Sequence, residues 1–282
     1  MSQDPILAGV IGWPIEHSLS PLIHTIWAAR AGIDGYYIPH AIPPTYDEFA
    51  AAMDGLRKVG FKGVNVTLPH KEHALRYADI SSDNAKQAGA ANMLTFAPDG
   101  SYADNSDISG FAAAVMEGLG GRSMPQSALI LGAGGAARGV GLALKLFGVK
   151  SVTIANRTRE KADAIATDLG AEAIDWEGRG NAVGEADLIV NTTSLGMSGQ
   201  PPLELDISPA KEGTIVADIV YAPLETPLLK AAKQKGLVIT DGLAMLMHQA
   251  VPGFRAWFGG EAAVDEELRR ELLQELKRQG RL

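Results

Sequence analysis

The 282-residue chain contains no cysteine. Disulfides, thiolate metal sites and cysteine nucleophiles are excluded at once. Basic residues are outnumbered, 25 Lys and Arg against 33 Asp and Glu, which leaves a formal net charge of −8. Wholesale nucleic-acid binding needs a basic face to displace counterions from phosphates, so it is not expected, and an anionic ligand needs a locally basic pocket. No apolar run approaches the roughly 20 residues that span a bilayer. The start, Met1-Ser2-Gln3-Asp4-Pro5, lacks the basic region and apolar core of a secretory signal, so a cytoplasmic protein without a membrane partner is expected. Internal repeats, low-complexity segments and charge runs are absent as well.

Hydrophobic residues make up 46% of the chain and charged ones 21%, a balance that suits a globular protein with a sizeable core. At this length two domains are the natural expectation. Short β-branched runs at 6–12, 36–42 and 63–68 alternate with helical patterns from Pro21 and over 46–58, which is an α/β arrangement. Runs at 92–96 and 101–104, joined through Ala97-Pro98-Asp99-Gly100, read as a hairpin, with a helix following from about Asp107. The second half restarts at 128–131. Further runs at 152–155, 188–190, 215–219 and 237–240 leave room for crossovers, several of them helical, and so predict a parallel, doubly wound sheet. Over 265–279, Leu268, Leu272, Leu273 and Leu276 fall at helical spacing among charges of both signs, the pattern of an amphipathic helix docked on the body rather than on a membrane.

The segment Gly132-Ala133-Gly134-Gly135-Ala136-Ala137 follows one of these strands and opens a helical pattern, the context in which G-x-G-x-x-A binds a dinucleotide. Its glycines permit a tight turn and close backbone approach, and free N–H groups at the helix start can hold a pyrophosphate. A glycine-rich turn without ligand is the structural alternative. NAD-binding versions usually place an acid after the next strand to bond the ribose 2′-hydroxyl. Here the chain reads Asn156-Arg157-Thr158-Arg159-Glu160-Lys161. Arg157 offers a planar guanidinium suited to a phosphate, with Lys161 one turn on, and NADP is therefore expected over NAD.

The first half carries polar groups beside helix starts. Ser18 and Ser20 precede Pro21, and Ser20 has a ready structural role as N-cap with Pro21 as first helical residue. Ser18 is not explained by that cap, and the two hydroxyls together could bind a carboxylate. His17 and His24 read as structural or surface residues. In Asn65-Val66-Thr67-Leu68-Pro69-His70-Lys71, period 2 puts Asn65 and Thr67 on one strand face, with the valines and Leu68 on the other. That polar face suggests a pocket; the alternatives are an exposed face, or Thr67 capping a helix that begins near Pro69. Lys71 falls in the first helical turn, where the helix dipole disfavours a cation by about 0.3–1 kcal/mol. Asp107 also sits at a helix start, where a carboxylate is favourable for structure alone. Reduction of a ketone by hydride needs a proton donor, and a lysine oriented by a carboxylate can supply it.

The order and identity of these segments resemble the shikimate dehydrogenase family over nearly the whole chain. The likeness covers residues 12–24, Asn65–Lys71, Gly89-Ala90-Ala91-Asn92, Asn105-Ser106-Asp107, 132–138 and Asn156-Arg157-Thr158. It continues through Asn191-Thr192-Thr193-Ser194-Leu195-Gly196-Met197, Asp218-Ile219-Val220-Tyr221-Ala222-Pro223 with Thr226-Pro227-Leu228-Leu229, and residues 242–250. The resemblance implies a substrate-binding domain over 1–108 completed by C-terminal helices in 244–282, a Rossmann-like NADP domain over 109–243, and a cleft between them. It implies reversible reduction of 3-dehydroshikimate to shikimate in aromatic biosynthesis. By the same resemblance Lys71 and Asp107 are the catalytic pair, Ser18, Ser20 and Tyr221 hold the substrate carboxylate, and Asn65, Thr67, Asn92 and Gln249 bond ring hydroxyls. Gly132, Ala133, Gly134, Gly135 and Ala136 then cradle the pyrophosphate, Asn156, Arg157, Thr158 and Lys161 the adenosine phosphate, and Ile219, Gly242 and Met245 lie near the nicotinamide. No metal is implied, and a monomer or homodimer acting on small molecules is expected. Thr25, Met93 and Ser106 stand where the family usually has Asn, Thr and Thr. None of the three removes a catalytic group. Met93 and Ser106 adjoin proposed ligands, so quinate or an aminoshikimate stays open as substrate. A non-catalytic NADP-binding regulator is the reading from another class.

Overall fold

The computed structural model describes residues 4–282, so Met1, Ser2 and Gln3, weighed above as part of a secretory signal, lie outside it. The chain divides into two compact units. The first runs through Asp107 and takes up Gln249–Leu272; the second holds Ile108–His248 and Leu273–Leu282.

The first unit opens with β1 (Ile6–Gly12), α1 (Ser20–Arg30), β2 (Gly35–Ala41), α2 (Tyr46–Lys58) and β3 (Phe61–Val66), and continues with α3 (Lys71–Tyr77), β4 (Ile80–Ser81), α4 (Asp83–Ala88), β5 (Met93–Ala97) and β6 (Gly100–Asp104). Its six strands are ordered β2-β1-β3-β5-β6-β4. Helical crossovers α1 and α2 bring β2 and β3 back parallel to their neighbour β1, whereas the Pro98-Asp99 turn folds β6 antiparallel onto β5. Thr45 starts α2 with a reciprocal cap, its hydroxyl accepting from the Glu48 N–H at 3.4 Å and donating to the Glu48 carboxylate at 2.8 Å. Ile11, Phe49, Met53, Val64 and Leu94 meet in the core between α2 and the sheet. At Gly63 a Cβ would lie 2.1 Å from Trp257 Nε1 and 2.3 Å from the Leu94 carbonyl oxygen. Only glycine leaves room for the Trp257 indole against β3, where its N–H donates to Thr95 Oγ1 at 3.0 Å.

The strand expected over 63–68 stops at Val66. A turn closed by His70 N–H to the Thr67 carbonyl at 3.0 Å ends it, and Leu68, 73% exposed, does not share the inward face of the valines. The helix placed near Pro69 begins at Lys71 after His70, and Thr67 does not cap it.

From α5 (Asp107–Leu119) the chain enters the second unit. There it forms β7 (Ser127–Leu131), α6 (Gly135–Leu146), β8 (Ser151–Asn156), α7 (Arg159–Leu169), β9 (Glu172–Asp175), α8 (Arg179–Val183), β10 (Leu188–Asn191), β11 (Ile215–Asp218), α9 (Pro227–Gln234) and β12 (Val238–Thr240). All six strands are parallel, in the order β12-β11-β10-β7-β8-β9. Counted from β7 this is the doubly wound dinucleotide-binding order, and the direction of winding switches between β7 and β10. Leu129, Leu131, Ile189, Val216 and Leu229 form the core on one face. Helices α10 (Gly242–Phe258) and α11 (Glu266–Arg278) complete the chain.

The expected division, with 244–282 wholly in the first domain, differs from this one in its last segments. The first turns of α10 stay in the second unit because Gly242 lies against the Ile219 carbonyl, where a Cβ would fall 2.3 Å from the oxygen, and because His248 reaches Glu117 at 2.8 Å. The final ten residues stay there too, with the Arg281 guanidinium 5.8 Å from the centre of the Tyr221 ring. Leu268, Leu272 and Leu276 of α11 are fully buried, as the apolar stripe required.

Candidate active site

In the first unit Lys71 and Asp107, 36 residues apart, meet at Nζ to Oδ2 2.6 Å. Their side chains are 20% and 13% exposed, so the pair is shielded without being sealed. Lys71 is the first residue of α3, and Asp107 opens α5, where its carboxylate favours the positive helix end. The main chain fixes the lysine from behind, since the Lys71 carbonyl accepts the Ala91 N–H at 2.9 Å. Asn92 bridges onward: its Nδ2 donates to Asp107 Oδ1 at 2.9 Å and lies 3.3 Å from Gln249 Oε1. Ser106, the departure from threonine, still clamps this network, its N–H donating to Asn92 Oδ1 at 2.7 Å and its hydroxyl to the Gln249 carbonyl at 2.8 Å. The Asn105 amide oxygen accepts the Asp107 N–H at 3.1 Å. Met93, the other departure, is buried in β5. Lys71, Asn92, Asp107 and Gln249 thus form one connected polar site.

Ser18 and Ser20 exchange their expected roles. Helix α1 starts at Ser20 itself, whose hydroxyl caps nothing; Ser18 Oγ instead accepts the Ser20 N–H at 3.3 Å. That frees the Ser20 hydroxyl, which bonds the phenol of Tyr37. Asn65 is buried rather than on an exposed strand face. Its Oδ1 accepts from the Tyr37 hydroxyl at 2.7 Å and its Nδ2 donates to the Asn92 carbonyl at 3.2 Å. Thr67 lies close to Gly12, where a Cβ would come within 2.7 Å of its methyl. Tyr37, which touches two expected ligands, escaped the sequence reading because nothing in its local pattern marks it. His24 is a fully buried core residue and His17 is exposed.

In the second unit Gly132 has φ 110°, a conformation side chains avoid, and a Cβ there would also fall 2.8 Å from Thr192 Oγ1. Gly134 and Gly135 face open space. Gly134 is the N-cap of α6 and no side chain caps that helix, so its first amides could hold an anionic group. At the end of β8 Asn156 stands where an acid would select NAD, its amide held by the Thr158 carbonyl at 2.8 Å. Arg159 is occupied by Asp163 at 2.9 Å and Asp175 at 3.3 Å. Arg157 and Lys161 are exposed, and their side chains have no partner among the described residues. The residues therefore fit a phosphorylated dinucleotide. Ile219, half-buried at the end of β11, touches Gly242, and Met245 lies one turn along α10. Tyr221 is raised above the usual phenol range by burial, against the pull of the Arg281 guanidinium that bonds it. Among the described residues no cluster of three or more His, Asp or Glu could hold a metal ion.

Asp218, absent from the expected site, ties these loops together. Its Oδ1 accepts from Asn191 Nδ2 and the Val220 N–H, both at 3.0 Å, and its Oδ2 from the Thr226 hydroxyl at 2.7 Å. Burial pushes its carboxyl up to about 6, against the lowering effect of those three donors. The unfolded group titrates near 4, so the folded state is favoured by protonation, and that advantage is lost as pH rises through about 6. The difference is worth roughly 3 kcal/mol. Asp218→Asn, which cannot ionise, should therefore gain stability relative to the parent by about 2–3 kcal/mol between pH 4 and pH 7.5 in urea unfolding. A pH-independent difference would show that the carboxyl titrates normally.

A doubly wound unit with a glycine-rich turn at the start of its first helix, in one chain with a shielded lysine–carboxylate pair, is the make-up of a dinucleotide-dependent oxidoreductase. Residues 10–94 match the profile of the shikimate dehydrogenase substrate binding domain, and residues 116–198 that of shikimate / quinate 5-dehydrogenase. The chain belongs to the shikimate dehydrogenase family. A protein of Acidiphilium cryptum named shikimate dehydrogenase (NADP(+)) is 52% identical over 96% of both chains. Among solved structures, quinate dehydrogenase from Corynebacterium glutamicum in complex with NAD superposes with a TM-score of 0.89 at 31% identity, covering 96% of this chain and 100% of that one. Shikimate 5-dehydrogenase from Thermus thermophilus, in complex with NADP(H) and shikimate, gives 0.83 at 34% identity, covering 96% and 99%.

Proposed function

We propose that the chain catalyses the reversible, NADP-dependent reduction of 3-dehydroshikimate to shikimate, with Lys71 as proton donor and Asp107 as its orienting base. The observation that carries the reading is the 2.6 Å contact between Lys71 and Asp107, joined through Asn92 to Gln249. NADPH, when bound, supplies the hydride that reaches the carbonyl carbon. Lys71 delivers a proton to the carbonyl oxygen, so ketone, hydride and proton together give the alcohol. In the oxidative direction the lysine takes that proton back. Asp107 holds the ammonium in place and balances its charge.

Ser18, Ser20 and Tyr221 take the carboxylate, and Asn65, Thr67, Asn92 and Gln249 sort the ring hydroxyls. Gly132, Ala133, Gly134, Gly135 and Ala136 hold the pyrophosphate, Asn156, Arg157, Thr158 and Lys161 the adenosine phosphate, and Ile219, Gly242 and Met245 border the nicotinamide. The intact Lys71–Asp107 pair speaks against a non-catalytic regulator. We place the enzyme in the cytoplasm, acting on small molecules as a monomer or homodimer, with no nucleic-acid or membrane partner. Biosynthetic chemistry on a small acid and the net charge of −8 support that setting; light scattering of the purified protein decides between the two assemblies. No helix among the described residues is long and apolar enough to cross a membrane.

The test is a steady-state panel of shikimate, quinate and aminoshikimate against NADP and NAD. Shikimate with NADP is expected to give the highest kcat/KM. A preference for quinate or for NAD would overturn the assignment.

A further inference from the structure

Tyr37 joins two parts of the substrate half-site that lie 45 residues apart in sequence, Ser20 and Asn65. Its phenol donates to Asn65 Oδ1 at 2.7 Å, and the Ser20 hydroxyl bonds the same oxygen. The ring stacks on His24 with centroids 3.8 Å apart and planes 10° from parallel. His24 is fully buried, and neither ring nitrogen has a hydrogen-bond partner among the described residues. Burial lowers its pKa to about 3, so two uncharged rings are stacked. Trp27, Phe254 and Trp257 wall in the histidine. A ring held this way has little freedom to turn.

The hydrogen-bond capacity of each group fixes the rest. A phenol has one proton, and giving it to Asn65 Oδ1 sets the amide orientation. Nδ2 then donates one hydrogen to the Asn92 carbonyl at 3.2 Å, which leaves the other for a ligand oxygen. Burial raises the Tyr37 phenol well above its ordinary range, so it stays a donor at every working pH.

We infer that Tyr37 is a positioning residue that holds Ser20 and Asn65 in register, so that the substrate carboxylate and a ring hydroxyl are recognised together. This rests on the roles proposed above for Ser20 and Asn65. Tyr37→Phe keeps the ring and its stack on His24 and removes only the phenol oxygen.

In steady-state kinetics the variant should raise KM for shikimate roughly 5- to 20-fold, the scale of a lost buried hydrogen bond. Its kcat should stay within about threefold and its KM for NADP should not change, a split that general loss of packing would not produce. The same kinetics are measured for Asn65→Ala and for the double variant. Once Asn65 is gone, Tyr37→Phe should raise KM by a smaller factor than it does in the parent, the remainder being the share of its bond to Ser20. An unchanged shikimate KM in Tyr37→Phe, or effects that multiply in the double variant, overturns the inference and spares the reading of Asn65. An unchanged KM in Asn65→Ala overturns that reading, and the inference with it.

Discussion

Lys71→Ala should lower kcat by about 10²–10⁴-fold, the usual contribution of a positioned acid–base group. The protein should still fold, because Asp107 keeps the Asn92 amide at 2.9 Å and the pair is partly solvated. Affinity for NADP should be unchanged, since no group of the nucleotide half-site is altered. Lys71→Arg separates charge from proton transfer. A guanidinium keeps the positive charge beside Asp107, but it does not release a proton at accessible pH. If the lysine acts only as a fixed cation, arginine should restore most of the turnover. If it delivers the proton, both variants should be slow. Turnover of Lys71→Ala within tenfold of the parent would remove the lysine from the chemistry altogether.

The second large effect concerns the nucleotide. Arg157→Ala should raise KM for NADP by roughly 10- to 100-fold, because a charge-assisted hydrogen bond to phosphate contributes about 1.5–3 kcal/mol. KM for NAD, which lacks that phosphate, should hardly move. The ratio of the two cofactors' efficiencies therefore reads out the role directly. Arg159→Ala is the internal control. That guanidinium is engaged by Asp163 and Asp175, and exposed pairs of this kind contribute little, so it should change neither constant by more than about threefold. Equal losses with both cofactors in Arg157→Ala would mean that the arginine serves the loop rather than the phosphate.

Long periodic segments were legible from sequence. β1, α2, β7 and the amphipathic stripe of α11 carry their own pattern of burial, and the structure places them where the periodicity puts them. β4, β9 and α8 were missed. They are short, and Glu172–Asp175 is held by pairing to β8 rather than by an apolar run. Local reading also reversed the serines, because the choice between Ser18 and Ser20 as the group that bonds the helix start depends on where the chain turns. Lys71 and Asp107 were each conspicuous at a helix start, but their meeting is tertiary. Tyr37 and Asp218 had no local signal of function: one acts across β2 and β3, the other between the ends of β10 and β11. Residue type marked the groups proposed for the chemistry. The groups that aim them became visible only through hydrogen bonds across elements.

The return of Gln249–Leu272 to the first unit bears on how the protein is made. As the chain leaves the ribosome, the first unit has its strands but lacks Trp257, which covers Gly63, and Ala263, whose carbonyl accepts the Trp27 indole at 2.8 Å. The second unit's six strands all emerge before those residues do. At about 5–20 residues per second the delay is on the order of ten seconds. During it the apolar surface around Trp27 and the sheet face at Gly63 are without their cover. On the ribosome, therefore, the nucleotide sheet has all six of its strands before the N-terminal half has the segment that completes its core.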